Sequence, residues 1–248
     1  PPDRGLEYAD NSLLSGSSDK LFYRRISDLF TGREAAGASL ELTINPKAQA
    51  AADEALGNQR GAVVALDPRT GAILALASSP SFDPNVLSSH NPSAIRKAYD
   101  AYTADPKQPL LNRPLAMTLP PGSTFKLVTA AAALESGKYS STTVVPGPAS
   151  IKLPNSTREL KNWTGAACGP NDKTTLQNAL AVSCNTAFAS IGMDLGQDAL
   201  REQAEKFGFN NSFQVPLRAA QSRFPADLDP AQTAMAAIGQ FDVTATAL

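Results

Sequence analysis

The segment Leu127-Val128-Thr129-Ala130-Ala131-Ala132-Ala133-Leu134 constrains the fold more than any other stretch of the chain. It carries no charge and consists of good helix formers, so it reads as a helix apolar on every side. Such a helix has to lie inside a core. It is far too short to cross a bilayer. Turn signals bracket it, Pro120-Pro121-Gly122 before and Ser136-Gly137 after. At 248 residues the chain is long enough to surround it.

Directly ahead of this segment lies Gly122-Ser123-Thr124-Phe125-Lys126. Ser123 and Lys126, three positions apart, share one face of a helix. A serine hydroxyl is a weak nucleophile until a base takes its proton. A neutral lysine can be that base if its surroundings lower its pKa from about 10.4 to roughly 7–8. Lys126 enters the most apolar helix of the chain, which supplies burial. Ser123 falls at that helix's N-terminus, where free N–H groups favour a developing oxyanion. Ser-x-x-Lys alone is a weak signal, because a helix-terminal serine followed by a snorkelling lysine has the same spelling. A decoy, Ser17-Ser18-Asp19-Lys20, lies in polar sequence and reads as solvated.

A second element, Ser183-Cys184-Asn185, falls 60 residues after Ser123 between two expected helices. A second hydroxyl near the lysine can relay a proton to a leaving amine, and the asparagine amide can hold a substrate amide. Ser89-His90-Asn91 is the matching decoy; His90, the single histidine, takes a structural polar role in a Ser/Asn/Pro loop. One histidine excludes a multi-histidine metal site, and no metal or cofactor is expected. With 22 Lys and Arg against 23 Asp and Glu, phosphate neutralisation and nucleic-acid partners are unsupported. Cys168 and Cys184 lie 16 positions apart. Spacing leaves a disulfide, worth roughly 3 kcal/mol in the chain-entropy model, and a pair of free thiols equally open.

The rest of the pattern is mixed. Leu40–Ile44 alternates like a strand, and Asn45-Pro46 opens a helix to about Leu56. Residues 62–66 and 72–76 flank Asp67-Pro68-Arg69-Thr70-Gly71 as a hairpin. Both strands are apolar on both faces, which predicts helices on each side. A short helix is expected near Ser93–Tyr102. Residues 140–172 read as irregular, and Thr174-Thr175-Leu176-Gln177 as a capping box opening a helix to about Val182. Further helices are expected over Thr186–Leu195 and Asp198–Phe207. Residues 1–38 are polar and turn-rich, with one amphipathic helix carrying Leu21, Phe22, Ile26, Leu29 and Phe30 and closed by Thr31-Gly32-Arg33. They read as an appendage, or the remnant of another domain, beside a main unit over 39–248. The chain opens on Pro1-Pro2 without a methionine or signal peptide and reads as a trimmed or mature fragment. The fold class is α/β, of the α+β type.

Leu42-Thr43-Ile44-Asn45-Pro46, the run Gly61–Gly71, Asn112-Arg113-Pro114, Pro120–Lys126 and Ser183-Cys184-Asn185-Thr186-Ala187-Phe188 together resemble the transpeptidase domain of class B penicillin-binding proteins. Gly5–Ser12 and Ser88–Pro92 look like the actinobacterial penicillin-binding protein A subgroup. The resemblance implies the penicillin-binding and serine β-lactamase-like fold, helices packed on an antiparallel sheet. It implies Ser123 as nucleophile, Lys126 as base, Ser183 as proton relay, and Asn185 binding the substrate amide and helping hold Lys126. The substrate would be a peptidoglycan stem peptide ending in D-Ala-D-Ala, cross-linked through a Ser123 acyl-enzyme that β-lactams also form. Further implied are a single N-terminal membrane anchor outside this chain, work on the extracytoplasmic face, and partnership with a membrane glycosyltransferase and with division or elongation proteins. Residues 1–38 would be the tail of the family's N-terminal pedestal domain.

Trp163 is assigned to packing in preference to lining the substrate groove. Glu159-Leu160-Lys161-Asn162 precedes the Ser-x-Asn motif, the wrong order for a deacylating glutamate, which disfavours a β-lactamase. The family's third motif, Lys-Thr-Gly or Lys-Ser-Gly, has no match; Lys173-Thr174-Thr175 is not it. The chain as written is therefore expected to lack the central strands of the family sheet. Ile238-Gly239-Gln240 resembles the lead-in to a helix, and Phe241–Leu248 an unfamiliar tail. A non-enzymatic β-lactam receptor or division scaffold stays open as the alternative.

Overall fold

The computed structural model describes residues 5–32, 37–212 and 215–247. Arg33, Leu248 and the Leu29 side chain, each part of a reading above, lie outside the described residues. The described residues pack as two units, one falling within residues 1–117, 214–220 and 247–248 and the other within residues 118–213 and 221–246.

The first unit contains α1 (Leu6–Ala9), α2 (Asn11–Leu14), α3 (Phe22–Thr31), α4 (Pro46–Leu56), β1 (Gly61–Leu66), β2 (Ile73–Ser79), α5 (Pro92–Ala104) and α6 (Arg113–Ala116). α4 starts where Asn45-Pro46 predicts: Asn45 Oδ1 accepts from the Lys47 and Ala48 amides, and Pro46 presets the first turn. β1 and β2 form an antiparallel hairpin. Asp67 Oδ1 accepts from the Arg69 and Thr70 amides and closes its turn. α4 covers one face, burying Ala52 against Ala75 and Ala77. The short α6 also contacts both strands, and Ser78 of β2, alternating with Ala75 and Ala77, donates its hydroxyl to Leu111 O and accepts the Arg113 amide there; the β1 side chains nevertheless stay half-buried and Leu66 is exposed. Leu40–Ile44 is not a strand. Thr43 Oγ1 donates to the Ile73 carbonyl, a side-chain bond where a ladder amide would sit, and only the Asn45 amide follows, to Leu74 O. α3 forms where the amphipathic pattern predicts, and its Phe22 and Phe30 are exposed, Phe30 at 88 %.

The second unit contains β3 (Thr118–Leu119), α7 (Lys126–Glu135), β4 (Val144–Pro146), β5 (Ser150–Lys152), β6 (Glu159–Lys161), β7 (Lys173–Thr175), α8 (Leu176–Ala181), α9 (Asn185–Leu195), α10 (Gln197–Lys206), α11 (Pro230–Ala236) and β8 (Ala245–Thr246). The strands pair antiparallel as β3 with β8, β4 with β7 and β5 with β6. α7 is apolar on nearly every side because a core lies on two of its flanks. Ala130 and Ala133 join Phe188, Ile191 and Ile238 on one. Phe125, Val128 and Ala132 join Leu200, Phe209, Phe224 and Val243 on the other. Leu127 and Leu134 are exceptions and remain exposed. α9 approaches α11 closely at Gly192, where an added Cβ would run into Ala237 Cβ.

Three sequence expectations fail locally here. Residues 140–172 hold three short strands, too brief to give an alternation signal. The helix cap is Thr175, whose side chain accepts from the Asn178 amide, because Thr174 is held in the β7 ladder opposite Val145. Ile238-Gly239-Gln240 follows a helix rather than leading into one. The unforeseen α11 is announced by a complete capping box between Asp229 and Gln232. The 241–247 tail docks: Val243 is fully buried and β8 pairs with β3.

Candidate active site

Ser123 lies in a 3-10 turn, Gly122–Phe125, that feeds α7 at Lys126. In such a turn residues three apart eclipse, closer than on an α-helix. Ser123 Oγ consequently sits 3.2 Å from Lys126 Nζ. Gly239 fixes the turn from below. Its carbonyl accepts the Gly122 amide at 2.9 Å, its φ is +72°, and an added Cβ would strike the Gly122 carbonyl oxygen and lie 2.7 Å from Phe125 Cβ. Only glycine fits both the backbone and the space.

Ser183 arrives by a different device. The Ser183 amide donates to Leu180 O and the Cys184 amide to Ala179 O, while Ser183 takes φ +55°. This is the paired bond pattern that ends a helix in a left-handed residue, usually glycine. Here a serine holds the position, so the turn out of α8 also aims a hydroxyl. Cys184 caps α9, and Asn185 starts it.

All four side chains meet at Lys126 Nζ. It lies 3.0 Å from Ser183 Oγ, 2.7 Å from Ser183 O and 2.7 Å from Asn185 Oδ1, besides Ser123 Oγ. The Phe188 ring centroid is 5.9 Å away, one helical turn along α9 from Asn185. Lys126 is 1 % exposed, and no carboxylate among the described residues pairs with it. Burial pulls its pKa from 10.5 down to about 8. Two of the four oxygens, Asn185 Oδ1 and Ser183 O, can only accept. A neutral amine donates its two protons to them and keeps its lone pair for a hydroxyl. The site is thus complementary to the form of lysine that can act as a base. Ser123 itself is exposed and within reach of a substrate.

The remaining expectations separate cleanly. Cys168 and Cys184 are joined by a disulfide, which settles the alternative that spacing left open. Trp163 is 96 % exposed, so it does not pack in the core as assigned; it sits in the turn just after β6. His90 is exposed in the loop before α5. Asn91 of the second decoy caps α5, accepting from the Ser93 and Ala94 amides, and Lys20 of the first decoy is exposed. No cluster of metal-ligating side chains occurs among the described residues. The sequence analysis quotes Phe188, Asn162 and Gly239 inside longer stretches but assigns none of them a role. Phe188 was legible as the residue three positions after Asn185; the other two act through contacts distant in sequence.

Residues 61–248 match the family model described as the penicillin-binding protein transpeptidase domain, and residues 2–40 that of the penicillin-binding protein A dimerisation domain. The chain belongs to the penicillin-binding protein transpeptidase family. It is 45 % identical over 250 residues to the peptidoglycan D,D-transpeptidase PbpA of Mycolicibacterium smegmatis, covering 98 % of this chain and 51 % of that protein. The Escherichia coli peptidoglycan D,D-transpeptidase MrdA is 35 % identical over 75 % of this chain and 29 % of its own length. Among solved structures, the ceftriaxone acyl-enzyme complex of penicillin-binding protein A from M. tuberculosis superposes with a TM-score of 0.90 at 44 % identity, covering 98 % of this chain and 56 % of that one. The chain spans about half the length of the curated relatives it matches. The mixed helix and antiparallel-sheet fold expected from the family is the fold observed.

Proposed function

We propose that this chain carries the acylation machinery of a peptidoglycan D,D-transpeptidase. The observation that carries the reading is a buried lysine amine within hydrogen-bond reach of two serine hydroxyls. Ser123 Oγ attacks the penultimate D-Ala carbonyl of a stem peptide ending in D-Ala-D-Ala, and its proton passes to Lys126. The tetrahedral intermediate collapses by breaking the D-Ala–D-Ala amide bond. The proton returns from Lys126 through the Ser183 hydroxyl to the leaving amine, and D-alanine departs. Asn185 Oδ1 holds Lys126, and one Nδ2 proton goes to Lys161 O at 3.0 Å, leaving the second for the substrate amide. An amine from a neighbouring stem peptide then attacks the Ser123 ester, forming the cross-link and freeing the serine. A β-lactam acylates the same oxygen and stays, because its leaving nitrogen remains tethered.

The wider assignments follow from the same reading. The division into residues 1–38 as the end of a pedestal domain and 39–248 as transpeptidase is supported by the two family matches. An extracytoplasmic location is supported by the disulfide, which persists in oxidising compartments. A single N-terminal anchor, a membrane glycosyltransferase and division or elongation proteins complete the proposed setting. Trp163, one residue beyond Asn162, offers its exposed ring to the substrate strand. The test is release of free D-alanine from a pentapeptide ending in D-Ala-D-Ala by the full-length protein. Loss of release in Ser123→Ala is expected; undiminished release in that variant would overturn the reading.

A further inference from the structure

We propose that Asn162 is a positioning residue for the proton relay, acting through the first turn of α9. Its side chain is a buried hub, 7 % exposed, that ties three segments together. Nδ2 donates to Pro148 O at 2.8 Å and to Ala166 O at 2.9 Å. Oδ1 accepts the Thr186 amide at 3.1 Å. The Thr186 hydroxyl donates to Pro148 O at 2.8 Å, so Asn162 and Thr186 close on the same carbonyl. One residue back, the Lys161 carbonyl accepts Asn185 Nδ2. The end of β6 therefore grips Asn185 through a main-chain oxygen and Thr186 through a side chain. Between that grip and α8 stands Ser183, in a left-handed conformation that is strained for a residue with a Cβ. Such a conformation persists only where the surroundings over-determine it. The Cys168–Cys184 disulfide ties the middle residue of the motif to the same 162–172 loop. Ser183 is thus held from its α8 side by two backbone bonds and from its α9 side by Asn162, Lys161 and Cys168.

The inference rests on the transpeptidase reading, and its test separates the two. The full-length protein is titrated with a fluorescent penicillin, resolving the saturating acylation rate from the apparent dissociation constant. A misplacement of about 1 Å costs up to about 100-fold in a positioned reaction, so Asn162→Ala is expected to slow acylation ~10- to 100-fold with little change in the dissociation constant. The deciding readout is the cycle with Ser183→Ala. If Asn162 acts through the Ser183 hydroxyl, Asn162→Ala has no further effect once that hydroxyl is gone. Multiplying losses in the double variant would overturn the proposal, as would a full-speed Asn162→Ala. Should Asn162→Ala fail to fold, the cycle is run with Asn162→Ser, a smaller polar side chain whose hydroxyl can keep one of these hydrogen bonds; a smaller loss, again absent without the Ser183 hydroxyl, is expected. A wild-type protein that is not acylated, or a Ser123→Ala variant that is, would defeat the underlying reading instead.

Discussion

Burial holds the Lys126 pKa near 8 instead of 10.5, and two consequences follow at the scale of that residue. Between those values the folded state binds fewer protons than the unfolded state. Stability therefore rises with pH across that window, and the cost of burying the charged amine is present in full below it. Reactivity follows the same titration. The neutral fraction grows about tenfold per pH unit below 8 and then levels. Penicillin acylation rates measured against pH should rise to a plateau with a midpoint near 8; a flat profile would contradict lysine as base. Lys126→Gln should slow acylation by about 10²- to 10⁴-fold, the range for loss of a general base. Ser183 gives a prediction in which stability and activity diverge. Ser183→Gly relieves the left-handed strain and should raise stability by about 1 kcal/mol, while removing the relay and slowing acylation. Thermal melting and acylation kinetics on one preparation check both signs.

Elements position these residues through contacts that local sequence does not display. The α4 cap, the hairpin turn, α5, α9 and α10 were legible because each rests on a local signal: an Asn-Pro start, an Asp-x-x-x-Gly turn, a closing glycine. Ser123, Lys126, Ser183 and Asn185 were legible as two short motifs with a buried helix behind them. Short strands such as β5 and β6 were not legible, since three residues carry no period. Nor was the role of Gly239, whose partner Gly122 lies far back in the chain. Its environment predicts a severe effect: Gly239→Ala should displace the Gly122–Phe125 turn and lose both folding stability and acylation. Arg113 was quoted only as part of a family motif, yet it is fully buried, donating to the carbonyls of Pro80, Lys107, Gln108 and Leu111. Arg113→Met leaves those acceptors unpaired at about 1–3 kcal/mol for each one kept from water. Denaturant unfolding should show a loss of several kcal/mol; a loss below about 1 kcal/mol would mean water replaces the guanidinium at little cost.

Across the whole molecule, the cross-link and the nucleophile can be tested separately. The disulfide closes a loop of 16 residues and should contribute about 3 kcal/mol. Reduction is then expected to lower Tm by about 6–12 °C, read by circular dichroism with and without reductant. The central claim is that Ser123 is the nucleophile of a penicillin-accepting site. Intact-mass spectrometry of the full-length protein mixed with excess penicillin, beside Ser123→Ala, tests it most directly. One penicillin should add to the wild type, persist, and be absent from the variant. An equal adduct on Ser123→Ala, or an unmodified wild type, would contradict the account.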